Sequence, residues 1–159
     1  METFFKDQYD INCETMSLLT AKSTDYDSIV LESDRTLYVR QTPLQLIESA
    51  CLRGGSSYDG RRIAVMHETG AQRKVPIPIN RLENIYAFPT HSPKNFNCHW
   101  LFSAHIHKMT PNPKNKKQCL ITFTNNEKIT LDVSPSVIEK QMHRTSYCIW
   151  RFSQMLKRS

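Results

Sequence analysis

Residues 134–159 read SPSVIEKQMHRTSYCIWRFSQMLKRS, and this stretch decides the largest element of the fold. Ser134 followed by Pro135 is an N-cap residue followed by proline at the first helical position. No further proline or glycine interrupts the run to Ser159. At about 100° per residue, Ile138, Met142, Thr145, Ile149, Phe152 and Leu156 share one face. Lys140, Arg144, Arg151 and Arg158 fall opposite, with Tyr147 beside them. The apolar stripe must pack on a sheet, which leaves the basic stripe outward. Glu139 is the one acid in the helix, so the row of cations lacks i,i+4 partners and suits an external polyanion.

Upstream of this helix the pattern is strand-like. Cys119–Thr124 and Lys128–Val133 flank Asn125-Asn126-Glu127 and read as a hairpin. Thr110–Gln118 (TPNPKNKKQ) reads as a loop, Trp100–His107 as a strand and His91–Asn97 as a polar loop. Asn84–Phe88 is a strand ended by Pro89, and the two prolines of Val75-Pro76-Ile77-Pro78 hold that segment extended. A loop, Ser56–Gly60, and Arg61-Arg62 lead into Ile63–Met66, which reads as a further strand. Thr42-Pro43-Leu44-Gln45 announces a helix, with a threonine cap, proline at the first position and Gln45 completing a capping box. Leu44, Ile47, Ala50, Cys51 and Leu52 give it an apolar side, and Gly54-Gly55 stops it. Met16–Leu19, Ser28–Leu31 and Thr36–Val39 are short strands before it. No internal repeat, low-complexity tract or linker stands out. The expected fold is one α+β domain over residues 1–159: a mostly antiparallel sheet with one short helix and a long C-terminal amphipathic helix.

Composition and charge narrow the function. Of 159 residues, 39% are hydrophobic, enough for one core. The net charge of +6 is uneven, since residues 1–50 hold 4 Lys/Arg against 9 Asp/Glu and residues 51–159 hold 17 against 6. An acidic front and a basic remainder point to a polyanion-binding surface built from the later segments. No run approaches the ~18 apolar residues of a membrane span, so no membrane association is expected. Glu2, Asp7 and Asp10 rule out a secretory signal at the start. The five cysteines, Cys13, Cys51, Cys98, Cys119 and Cys148, are odd in number and scattered, which fits reduced thiols and a cytoplasmic location.

Chemical constellations are few. Cys98, His105 and His107 could be read as ligands of a small metal-dependent enzyme, the main alternative. Cys98 and His99 are adjacent, however, and no Cys-x-x-Cys or His-Glu-x-x-His spacing supports that set. Cys51 near a helix C-terminus is poorly placed for a thiolate. Gly54-Gly55-Ser56-Ser57 follows a helix and lacks the Lys-Ser/Thr of a P-loop. A third reading, a protein-binding regulator acting through the acidic front, rests on charge alone. Neither a catalytic residue nor a cofactor is expected. Basic clusters remain: Arg61, Arg62, Arg73, Lys74, Lys108, Lys114, Lys116 and Lys117 in or beside loops, with Lys140 and Arg144 on the helix. Zinc-finger, basic-zipper, helix-turn-helix and RNA-recognition signatures are absent, which favours DNA reading by loops or β-structure.

The residues also carry a family resemblance. Pro43-Leu44-Gln45, Cys51 and Gly55-Ser56-Ser57-Tyr58-Asp59-Gly60-Arg61 resemble the central signature of the competence transcription factor (ComK) family. Pro76-x-Pro78, Tyr86-Ala87-Phe88-Pro89-Thr90, Cys98-x-Trp100 and Ser103-x-His105 continue it in order. Thr122-Phe123-Thr124-Asn125 and Gln141-x-x-Arg144-Thr145 complete it. The resemblance implies a transcription activator of DNA-uptake genes that recognises paired A-rich and T-rich boxes in double-stranded DNA, mainly through the minor groove. It further implies a homo-oligomer, with RNA polymerase as another partner. Arg61 lies within the signature and Arg62 is its neighbour, so these two are the expected minor-groove residues and the lysines the expected phosphate contacts. The family's longer members continue past the terminal helix into a polar tail with a Phe/Tyr-Pro-Lys type motif for a protease adaptor. This sequence stops at Lys157-Arg158-Ser159, so regulated proteolysis through that motif is not expected from these residues.

Overall fold

The computed structural model describes residues 3–158, without the side chains of Thr3 and Arg158; Glu2, Ser159 and the Arg158 position of the basic stripe lie outside the described side chains. Ten strands and three helices follow one another. They are β1 (Thr3–Lys6), β2 (Thr15–Thr20), β3 (Ser28–Glu32), β4 (Thr36–Val39), α1 (Pro43–Arg53), α2 (Tyr58–Thr69), β5 (Ile77–Asn80), β6 (Ile85–Pro89), β7 (Trp100–Phe102), β8 (Ile106–Asn112), β9 (Asn115–Phe123), β10 (Lys128–Leu131) and α3 (Pro135–Arg158). Seven strands form one sheet in the order β1-β4-β3-β2-β7-β6-β5, and β10-β9-β8 form a second. All pairings are antiparallel except β1 with β4. The expected α+β fold, mostly antiparallel with a long terminal helix, is the fold observed.

The large sheet is covered on both faces. On one side Leu46, Ile47, Ala50 and Cys51 of α1 pack against Leu18, Val30, Leu37, Ile77 and Trp100. On the other, Met16, Phe88 and Leu101 meet Cys119, Ile121 and Phe123 of the small sheet and Ile138 of α3. Double burial explains why β6 (IYAFP) reads as a continuous apolar run, with every residue buried. A third cluster joins Val65 of α2 to Cys148 and Phe152 of α3 over Val75 and Tyr86.

Several elements follow their sequence signals. Thr42 Oγ1 accepts the Gln45 N–H at 3.2 Å and Gln45 Oε1 accepts the Thr42 N–H at 2.9 Å, the reciprocal capping box. On α1, Leu46 takes a buried position while Leu52 faces solvent. On α3, Ile138, Thr145 and Phe152 are buried as the periodicity requires, joined by Gln141 and Cys148, while Leu156 is exposed. The Asn125-Asn126 turn has its positive φ at Asn126, 72°, which asparagine tolerates.

Other expectations are corrected. Ser56–Gly60 and Ile63–Met66 are not a loop and a strand; both belong to the region of α2. Ser57 caps this helix by accepting the Gly60 N–H at 2.9 Å, and Gly70 ends it at φ 79°. Its apolar run misleads because only Val65 is fully buried, with Ile63 and Ala64 exposed, which is neither strand alternation nor a wide helical stripe. Thr110–Gln118 is the tip of the β8–β9 hairpin, closed where Asn112 pairs Asn115, and not a free loop. Trp100–His107 is not one strand. A 3₁₀ turn at Ser103–His105 breaks it and passes the chain from the large sheet to the small one. The parallel edge strand β1 had no clear signal.

Candidate nucleic-acid interface

The signature around Arg61 is a structural joint. Arg61 Nη1 donates to the carbonyls of Pro78 at 2.6 Å and Ile79 at 2.7 Å; Nη2 donates to Cys51 O at 3.1 Å and Nε to Ser56 Oγ at 2.8 Å. One guanidinium thus ties the α1–α2 turn to β5. Gly54 makes room for it, since a Cβ there would lie 2.2 Å from Arg61 Nη2, while Gly55 lets the chain turn at φ 92°. Arg61 therefore points into the fold, whereas the sequence reading expects it to reach a minor groove. Local sequence could not reveal this, because the carbonyls it serves lie 17 and 18 residues away. Arg62 is half-buried, with Nη2 2.7 Å from Asp59 Oδ1 and Nη1 near Met66 Sδ.

The loop carrying Arg73 and Lys74 lies against α3, which carries Lys140 and Arg144. The buried Gln141 amide donates to Lys74 O at 2.8 Å and Pro89 O at 2.7 Å. Arg144 Nη1 donates to Gln141 Oε1 at 3.0 Å and to Arg73 O at 3.4 Å. These bonds pin the α2–β5 loop, where Lys74 has φ 49°, against the helix. Arg73 and Lys140 are exposed. Arg151 is not part of an unpaired row: its Nη2 lies 3.0 Å from Glu68 Oε2 of α2, a partner the helix's own sequence did not contain.

The second basic surface is the small sheet. Lys108 of β8 and Lys128 of β10 both pair in register with Thr122 of β9, so the two lysines flank one position on the same face. That face is opposite Ile121, which points into the core. Lys114, Lys116 and Lys117 are exposed near the hairpin tip. Lys128 was not singled out by sequence; only the cross-strand register places it beside Lys108. The helix α3 packs on β8 and β9 on one side and on α2 on the other, so it borders both basic groups. Among the described residues, no ion pair joins Arg73, Lys74, Lys108, Lys114, Lys116, Lys117, Lys140 or Arg144 to a carboxylate. The acidic front is instead partly neutralised by its own arginines, in Asp7–Arg40 at 3.2 Å and Glu32–Arg35 at 2.5 Å, and by Arg53 at the end of α1, 2.9 Å from Asp10.

Cys98, His105 and His107 do not assemble into a metal site. Cys98 is buried with its Sγ 3.3 Å from His91 O, while His105 Nε2 lies 2.7 Å from Cys13 O. His105 lies in the 3₁₀ turn and His107 on β8, so the two do not share one strand. Among the described residues no three histidine, cysteine or acidic side chains converge as metal ligands. Burial pushes the Cys98, Cys51 and Cys119 thiols up, and Cys148 up to about 12, so none is primed as a nucleophile. His99 accepts the Thr20 N–H through Nδ1 at 3.1 Å, and burial, with His91 adding to it, lowers its pKa to about 4. No described helix is long and apolar enough to cross a membrane.

Comparison with known proteins bears on this geometry. The family model described as ComK protein matches residues 6–157. A competence transcription factor of Bacillus subtilis (strain 168) is 27% identical over 151 residues, covering 94% of this chain and 78% of that protein. No solved structure matches.

Proposed function

Because this chain belongs to the ComK family, we propose that it is a DNA-binding activator of competence genes that recognises paired A-rich and T-rich boxes. The relative's designation as a competence transcription factor supports the regulatory role. The observation that carries the DNA reading is the set of lysines and arginines on the small sheet and α3 without carboxylate partners. Neutralising several phosphates releases condensed counterions, and that release drives binding. Lys108, Lys114, Lys116, Lys117 and Lys128 would contact phosphates from the hairpin, with Arg73, Lys74, Lys140 and Arg144 adding a second track beside α3. A·T tracts narrow the minor groove and deepen its negative potential, which draws in exposed cations. With Arg61 engaged inside the fold, Arg62 and the hairpin cations are the candidates for that groove. One folded unit over the whole chain, acting as a homo-oligomer and recruiting RNA polymerase from the cytoplasm, completes the proposal.

The experiment is a binding titration on an A/T-box duplex against a scrambled G·C-rich duplex at fixed salt. The expected result is tighter binding to the A/T boxes and a steep fall of log K with log salt. Equal affinity for both duplexes refutes box recognition, and a flat salt response refutes the basic surface.

A further inference from the structure

The solvent face of α3 carries aromatic rings that the core does not use. Tyr147 and Trp150 are 50% and 55% exposed, with ring centroids 5.8 Å apart at 43°. At about 100° per residue they share one stripe with Lys140, His143 and Arg144, away from the buried Ile138, Cys148 and Phe152. A groove of about 700 Å³ runs between this stripe and the α2–β5 loop, lined by Arg73, His143, Arg144 and Tyr147 and by no carboxylate. Glu68, on the neighbouring helix α2, is paired with Arg151. Arg144 is held in place by Gln141 Oε1 at the groove wall.

We propose that this face binds single-stranded DNA, with unpaired bases stacking on Tyr147 and Trp150 and phosphates held by Arg73, Lys140 and Arg144. The inference rests on the reading of the chain as a DNA-binding protein and extends it to a second form of DNA. A closed duplex hides its base faces in the stack, so exposed rings on a helix find no partner there. An unpaired strand offers a free π-face at every base and a phosphate at every step, which matches rings interleaved with cations. Guanidinium groups beside the rings add cation–π attraction to the stacked bases. An acidic peptide would answer the cations but leave both rings wet. A grip on unpaired strands favours locally opened DNA over closed duplex.

The test uses the full chain and three probes at one salt concentration: a single-stranded oligothymidylate of about 15 nucleotides, spanning a typical binding site, an abasic strand of equal length, and the A/T-box duplex. Trp150 fluorescence should be quenched by the oligothymidylate and not by the abasic strand. Tyr147→Ala with Trp150→Ala should weaken oligothymidylate binding by roughly ten- to a hundred-fold while changing duplex affinity less than about threefold. Tyr147→Phe with Trp150→Phe should restore most of the loss. Circular dichroism confirms folding, and both sites are surface positions. Unchanged single-strand affinity in the double alanine variant overturns the proposal, as does equal binding of abasic and normal strands. A changed oligomeric mass in that variant places a second copy of the chain on this face and also overturns it. Wild-type protein that binds neither duplex nor single strand instead refutes the DNA-binding function itself.

Discussion

Arg61→Ala should cost stability and leave sequence preference intact. The guanidinium makes four donor contacts, of which the two Nη1 bonds to Pro78 O and Ile79 O are the shortest at 2.6 and 2.7 Å. A hydrogen bond from a charged donor contributes about 1.5–3 kcal/mol. Arg61 is half-buried, and bonds made by one group do not add, so the expected loss is about 2–4 kcal/mol. For a chain of this size each 1 kcal/mol shifts the melting temperature by about 2–4 °C, giving a drop of roughly 5–15 °C. Gly54→Ala is an independent probe of the same joint. Its φ of −82° suits alanine, but the new Cβ would meet Arg61 Nη2 at 2.2 Å and displace the guanidinium. The double variant should therefore lose little more than the worse single variant. Urea unfolding at constant slope measures all three, and DNA titration below the transition tests the folded Arg61→Ala protein. Stability within about 0.5 kcal/mol of the parent, together with loss of A/T preference, would refute the argument and make Arg61 a base-sensing residue.

Replacing Lys114, Lys116 and Lys117 with alanine should weaken binding to all duplexes alike and lower the slope of log K against log salt by about 0.9 for each lost phosphate contact. His99 should make the protein acid-sensitive. Its folded pKa of about 4 lies below the ordinary value of 6.5, so stability is full above pH 6.5 and falls as pH drops towards 4. The loss is about 3 kcal/mol, and stability curves of His99→Asn against pH should be flatter across that window. Phe152→Ala removes a ring that is 4% exposed and lies under Arg81 at 5.4 Å, so it should cost ~3–5 kcal/mol in denaturant unfolding. A change within about 0.5 kcal/mol would show that the α2–α3 contact contributes nothing.

Much of the architecture is legible in the chain itself. The strands β2, β3, β4, β6 and β10 sit where short β-branched runs lie between polar turns, and α1 and α3 begin at their capping signals. These elements are readable because propensity, capping and hydrophobic period are local properties and agree with one another there. The helix α2 was illegible for the same reason: Gly60 in its first turn and an apolar run with one buried residue give local signals that disagree. The charge asymmetry and the Gly-Ser-Ser-Tyr-Asp-Gly-Arg stretch are likewise local, and they carry the family and the expectation of a polyanion partner.

The sequence by itself thus determined the α+β class, the starts of α1 and α3, the basic surplus after residue 50 and the family. Only the tertiary structure decided which cations are engaged within the fold. Arg61 turned inward because β5 brings two carbonyls to it, and Arg151 was neutralised because α2 brings Glu68 from 83 residues away. Lys108 and Lys128 became neighbours because both strands register on Thr122. A side chain's period follows from its neighbours in the chain, but its electrostatic partner is whatever the packing of distant elements sets within a few ångströms. That distance decides whether a charge holds the fold together or remains available to another molecule.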